Sequence, residues 1–314
     1  MLTDKTLTFA TANLFNFVEP PSAFYDFDNI YEKEAWEGKC RWTQNRLMSL
    51  DADIIGLQEV FSIEAARRLC TEMEFPHFAT VETPHVEDDY IYSKPVVAIA
   101  SKFPIKQVKP VTPLAELFSG YPVLLPEFSR HPIFAIVEVP DLGDIAVYVC
   151  HLKSQRPTGN DDNGEEQPLV GHWLSFLQRG WEAVMLRLFM EHEYQNSPCP
   201  TVLMGDMNQS LDSDSTGLLV KDTGIERRLR LVDSWQVYNA EGHFQRTPTH
   251  YHFANGNVLD YILVSQEFQT NSQVSLADII EYQVTDTHLI NPSYEQDKYA
   301  SDHAFVSITT RFVL

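Results

Sequence analysis

Polar residues that close short apolar runs recur from one end of this sequence to the other, and they restrict the fold more than any other feature. Thr6 to Asn13 alternates polar and apolar residues and ends on an asparagine, Asp53 to Glu59 ends on a carboxylate, and Ile145 to His151 ends on a histidine. Thr201 to Asn208 is an apolar run that stops at Gly205 and presents Asp206 and then Asn208. Val258 to Val264 carries Asp260 near its start, and Asp302 and His303 open a last alternating run that reaches Phe312. Short apolar or alternating runs of this kind are strands. Side chains spread from Asn13 to His303 can share a site only if the first and last strands lie together. Residues 1–314 are therefore expected to form a single domain, since a cut into two would break the site.

Asp206 and Asn208 sit two apart, so in an extended segment they face the same way. A carboxylate beside a carboxamide suits a hard cation or a phosphoryl oxygen, although both residues are also common turn formers. Gly205 before them permits a turn or a close backbone approach.

The other elements cover these strands. Tyr31 to Leu50 is expected to be helical with Trp36, Cys40 and Leu47 inward, and Ser62 to cap a second helix that buries Ala66, Leu69, Cys70 and Met73. Trp173 to Tyr194 places Trp173, Leu177, Trp181, Val184, Met185 and Leu188 at helical spacing, which predicts a helix lying on a sheet with both tryptophans in the core. Val96 to Ala100 reads as a strand, and Ile133 to Val139 as the antiparallel partner of Ile145 to His151. Phe15 and Phe17 are expected in a loop. The polar tract Lys153 to Gln167 reads as a mobile loop beside the site. His250 and His252 are read as structural or surface histidines.

No apolar run approaches the roughly 20 residues that span a bilayer. Residues 1–12 show neither a basic segment nor a signal-type apolar stretch, so cytoplasmic residence is expected. The cysteines Cys40, Cys70, Cys150 and Cys199 are widely spaced without a CxxC and are expected as free thiols. The formal charge of −21, from 44 acidic against 23 basic residues, works against a bulk electrostatic grip on a polyanion.

The strand-end motifs stand as Thr-Ala-Asn13, Gln58-Glu59, Cys-His151-Leu-Lys-Ser, Gly-Asp206-Met-Asn208, Leu-Asp260-Tyr-Ile-Leu and Ser-Asp302-His303. In that order the sequence resembles the endonuclease/exonuclease/phosphatase superfamily, the group of pancreatic-type deoxyribonuclease. The resemblance implies a four-layer α/β/β/α sandwich of two packed mixed sheets. It also implies hydrolysis of a phosphoester by in-line attack of water, assisted by Mg2+ or Mn2+. Glu59 would be the main metal ligand, Asn13 a neighbour bound directly or through water, and Asp302 a second ligand. His303 would act on the water or hold a phosphoryl oxygen, with Asp260 accepting its other ring N–H. Asp206 and Asn208 would orient water and phosphate, and His151 would donate to the phosphate or help protonate the leaving group. Arg130, in Phe-Ser-Arg-His-Pro, resembles the family's arginine that reaches the substrate phosphate.

His151 separates the chain from the abasic-site endonuclease branch, and Leu259-Asp260-Tyr261, without arginine, separates it from the inositol polyphosphate phosphatases. The His-Leu-Lys-Ser form followed by a long polar loop is similar to nuclease-type members. A phosphodiesterase is expected, with nucleic acid the first substrate to test. The alternatives are a lipid or small-molecule phosphoesterase, for which Phe15, Phe17, Phe24 and Tyr25, or Leu114 to Leu125, offer an apolar loop, and a catalytically silent scaffold of the same fold. No obligate protein partner is implied.

Overall fold

A computed structural model describes residues 4–122, 126–159, 167–224 and 228–313. Its main strands are β1 (Asp4–Phe17), β2 (Ile54–Val60), β3 (His77–Ala79), β4 (Val96–Ser101), β5 (Ile105–Pro110), β6 (Ile133–Val139), β7 (Gly143–His151), β8 (Thr201–Asp206), β9 (Val232–Asp233), β10 (Asp260–Val264), β11 (Ala277–Thr285) and β12 (Phe305–Val313). They form two six-stranded sheets, in the orders β11-β12-β1-β2-β4-β3 and β9-β10-β8-β7-β6-β5.

Each sheet has one parallel pair near its middle, β1 with β2 and β7 with β8. A parallel pair brings both C-terminal ends to the same edge, and here Asn13 lies opposite Gln58, and His151 opposite Asp206. The antiparallel neighbours enter at that edge. Asp260, the first residue of β10, pairs with Asp206, and β12 begins beside the end of β1, with Val306 opposite Thr11. Four strands thus finish, and two begin, along one rim.

The sheets face each other through Phe9, Ile54, Ile99, Val147, Val149, Val202, Met204, Ile262 and Ile308, all buried. Helices α1 (Lys33–Met48) and α2 (Ile63–Glu72) cover the other face of the first sheet over Ala10, Ala12, Ile55, Leu57 and Ala98. Helix α3 (Pro168–Asn196) covers the second sheet over Tyr148, Cys150, Leu203 and Leu263. The result is a four-layer α/β/β/α sandwich of mixed sheets. Strands covered on both faces must be apolar along their length, and every residue of β8 is buried.

Gly205 is the tightest point of this packing. Its φ is 151°, and a Cβ there would collide with the carbonyl oxygen of Cys150 on β7. Gly205→Ala is expected to lower stability by about 2–4 kcal/mol, because the collision is with backbone that cannot turn aside. Urea unfolding of the variant checks this, and an unchanged midpoint would show that the sheet relaxes freely.

Several expectations are corrected. Phe15 and Phe17 belong to β1 rather than to a loop, with Phe17 fully buried 4.7 Å from Trp36. The strand kinks there, since Phe15 and Asn16 take positive φ. Ser62 stands before α2, but its hydroxyl accepts the Glu19 N–H at 2.7 Å instead of capping the helix. Cys40 is half-buried rather than inward, while all four cysteines are free as expected.

Helix α3 departs most from the expected pattern. Trp173 is 58% exposed, along with Leu169 and Phe176, while Ser175, Arg179 and Glu182 point inward. The reason lies in the loop after His151, whose backbone groups lie against the helix and need partners. Ser175 donates to the Arg156 carbonyl, Arg179 to those of Lys153 and Ser154, and Glu182 accepts the Lys153 N–H. Only the later turns, through Ala183, Leu186, Phe189 and Met190, are apolar against the sheet. Residues 160–166 of the expected mobile loop, and 123–125 of the expected apolar one, lie outside the described residues.

Candidate active site

The rim is built around His303. Its Nδ1 lies 2.8 Å from Asp260 Oδ2, with both residues buried, which directs Nε2 towards Asp206 Oδ2 at 3.8 Å. The local chain holds this pose. The Thr249 hydroxyl accepts the N–H groups of Leu259 and Asp260, and its carbonyl accepts that of Ala304. Ser301 accepts the His303 N–H and donates to the Asn13 carbonyl at 2.7 Å, joining β1 to the start of β12.

Asp206 sits at the centre. Its Oδ2 accepts from Asn13 Nδ2 at 3.1 Å and lies 3.5 Å from His151 Nε2. Its Oδ1 accepts the Asn208 N–H at 2.8 Å. Asn208 has φ 54°, so the chain turns after β8 and the two side chains do not run in phase as an extended segment would place them. The Asn208 amide instead donates to the Leu152 carbonyl.

Asn13 bridges Asp206 and Glu59, whose Oε1 is 3.4 Å from Nδ2, while Asn13 Oδ1 accepts the Phe15 N–H. Glu59, at φ 58°, also accepts the Asn16 N–H at 2.8 Å. Arg130 is at the rim, but its Nε and one Nη donate to the carbonyls of His151 and Leu152. The preceding Ser129 is held through its N–H and hydroxyl by Glu182. Helix α3 therefore fixes both loops that flank His151.

The two histidines are pushed apart. Burial lowers His303, but the charges of Asp260 and Asp206 outweigh it and hold the ring well above the usual histidine range. His151 is driven well below that range by burial, then by Arg130 and His303. Burial raises the Asp206 carboxyl to about 7 against the pull of His303. Titratable neighbours displaced in opposite directions are the mark of acid and base roles.

Two residues at the rim carry no motif. His250 forms a backbone bridge to His303, with the rings 5.0 Å apart. The structure places it beside His303. Lys39 on α1 is almost wholly buried, 5.5 Å from the Phe15 ring, and feels the charges of both Glu59 and Asp302. A lysine at helical spacing carries no signal in the sequence that it turns inward.

Burial lowers the Lys39 ammonium from 10.5 to about 8. Its folded value lies below the unfolded one, so the charged form costs stability below pH 8 and the cost is relieved as pH rises from 8 to 10.5. Lys39→Met keeps the bulk without the charge. The chelator-stripped variant is expected to gain about 3 kcal/mol near neutral pH, at about 1.4 kcal/mol per pH unit, with the gain fading in alkali. Urea unfolding at about pH 7 and about pH 9.5 tests this, and an equal gain at both would contradict it.

Acidic and histidine groups able to hold a metal ion are gathered here. The donor atoms of Asp206, Asp260 and His303, and those of His250, Asp302 and His303, lie within 4.8 Å of one another. The charges of Glu59 and Asp302 both act on Lys39 and Tyr31. The acidic donors there fit a hard divalent cation.

A four-layer sandwich with two histidines, carboxylates and carboxamides along one rim is the plan of a phosphoester hydrolase. Residues 40–303 match the model of the Endonuclease/Exonuclease/phosphatase family, and the chain belongs to that family. No curated protein matches the sequence. Among solved structures, the human nocturnin catalytic domain with bound sulfate aligns with a TM-score of 0.62 at 15% identity, over 100% of this chain and 98% of that one. ANGEL2, a 2',3'-cyclic phosphatase, in complex with adenosine-2',3'-vanadate, aligns at 0.61 and 13% identity, over 100% and 99%. D. rerio TDP2 with a single-strand DNA product aligns at 0.57 and 12% identity, over 97% and 98%. At these identities the likeness is one of fold. Among the described residues no helix is long and apolar enough to cross a membrane.

Proposed function

We propose that this chain is a divalent-metal-dependent phosphodiesterase of nuclease-like type, acting as one domain over 1–314 and hydrolysing its ester by in-line attack of water. The observation that carries the reading is the buried Asp260–His303 pair aimed at Asp206, with His151 on the other side of that carboxylate. Mg2+ or Mn2+, held by Glu59 and Asp302 with Asn13 behind them, would supply Lewis-acid stabilisation of phosphoryl charge.

The chain's own groups divide the remaining work. Asp206, raised towards neutrality, orients the attacking water and takes its proton. His303, kept cationic by Asp260, holds a phosphoryl oxygen, and neutral His151 donates to the phosphate on the leaving side. Arg130 and Asn208 fix the backbone at Leu152 and present their remaining donors to the phosphate. On the acid limb, kcat/KM is expected to rise with pH through about 7 as Asp206 ionises. A flat profile there would remove Asp206 from that role.

The deciding experiment assays chelator-stripped protein with and without Mg2+ or Mn2+ on plasmid DNA, bis-p-nitrophenyl phosphate, p-nitrophenyl phosphate and sphingomyelin. Metal-dependent nicking of the plasmid supports the nuclease-like reading. A charge of −21 favours the second reading, a small or lipid phosphoester, and turnover of those substrates with DNA untouched would select it. Silence on all of them would leave either a more specific phosphoester substrate or the catalytically silent scaffold.

A further inference from the structure

We propose that His250, Asp302 and His303 form a second cation site, overlapping the Mg2+ site at Asp302 and selective for Zn2+ and similar borderline metals, whose occupation switches off the hydrolase. Each residue offers a ligand atom to a cluster in which all such atoms lie within 4.8 Å of one another. The His250 and His303 rings are 5.0 Å apart and inclined by 45°, and Asp302 Oδ1 is 4.0 Å from His303 Nε2. The backbone bridge between His250 and His303 fixes this register.

The site is partly assembled. His303 Nδ1 is already committed to Asp260 at 2.8 Å, so Nε2 is the nitrogen left for a metal. A carboxylate behind a metal-binding imidazole fixes its tautomer and orients the ring, the usual support of a zinc histidine. Zinc bonds of about 2.0–2.1 Å at tetrahedral angles ask for donors about 3.4 Å apart. The cluster must therefore tighten by about 1 Å. Half-buried His250 and Asp302, whose side chain is 45% exposed, can make that movement while His303 stays fixed. The exposed side leaves a fourth position for water.

The donor set decides the metal. Two imidazoles and one carboxylate suit Zn2+ or Co2+ far better than Mg2+, which prefers oxygen and keeps its waters. The acidic donors at Glu59 have the opposite preference. Zinc bound at His250 takes the Nε2 lone pair of His303 and displaces any proton there. His303 can then no longer serve the phosphoryl group. The inhibitory half of this inference rests on the phosphodiesterase reading, whereas the binding half does not.

The test titrates chelator-stripped protein with Co2+ and follows the visible absorption of tetrahedral cobalt, then displaces it with Zn2+. Zinc is also titrated into Mg2+-supported hydrolysis of bis-p-nitrophenyl phosphate, each variant being compared with its own zinc-free rate. Wild type is expected to bind one cobalt with a tetrahedral spectrum and to lose turnover over the same range of zinc. His250→Ala should weaken cobalt binding and zinc inhibition by about tenfold or more, and Asp302→Asn, which also removes a ligand of the Mg2+ site, should weaken cobalt binding to the same degree, with circular dichroism unchanged in both. Undiminished cobalt binding in either folded variant, or an octahedral spectrum in wild type, would overturn the site. Zinc binding with hydrolysis unaffected would overturn the switch. Absence of hydrolysis under every condition would count against the proposed function and leave the cobalt titration to decide the site.

Discussion

His303→Ala is expected to lower kcat by about three orders of magnitude while the protein stays folded. The ring sits where Asp260 and Asp206 both act on it, and removing it takes away the group that holds the phosphoryl oxygen. One preorganised donor of this kind is worth about 10²–10³ in rate, and a proton-transferring side chain about 10²–10⁴. His303→Asn keeps a hydrogen-bonding group and should recover only part of the loss, because an amide cannot carry the charge. Steady-state kinetics with a thermal melt as control make the measurement. Wild-type turnover in either variant would remove His303 from the reaction.

Glu59→Gln should act through the metal. The amide oxygen can still accept the Asn16 N–H, so local structure is retained while the charge is lost. A Lewis acid contributes several kcal/mol of transition-state stabilisation, so kcat/KM at fixed Mg2+ is expected to fall by about a hundredfold or more. Raising Mg2+ should recover part of the rate, which separates weakened metal binding from lost chemistry. A magnesium dependence identical to that of wild type would place the metal elsewhere.

The strands and their closing residues were legible because burial on both faces leaves a run with no polar position except its end. Asn13, Glu59, His151, Asp206, Asp260 and His303 stand out for that reason, and the structure brings them to one rim. Helix α3 was misread where amphipathic logic fails. That logic sends apolar residues inward, but Ser175, Arg179 and Glu182 are buried because a neighbouring loop needs hydrogen-bond partners. Trp173 is left outside as a result. The same limit hid Lys39 and His250, whose places depend on what packs across from them. Asn208 was identified as a site residue, yet its positive φ and its bond to Leu152 depend on a turn that two-residue periodicity does not describe.

The pairing of β1 with β12 also has a consequence for biosynthesis. The Ser301 bond to the Asn13 carbonyl spans 288 residues, so the rim joins segments that leave the ribosome far apart in time. A nascent chain can build α1, α2 and much of both sheets, but β1 keeps an unpaired, apolar edge until β12 emerges. Until then Asp260 has no histidine to orient. The rim and the Asp260–His303 pair therefore assemble only when β12 pairs with β1.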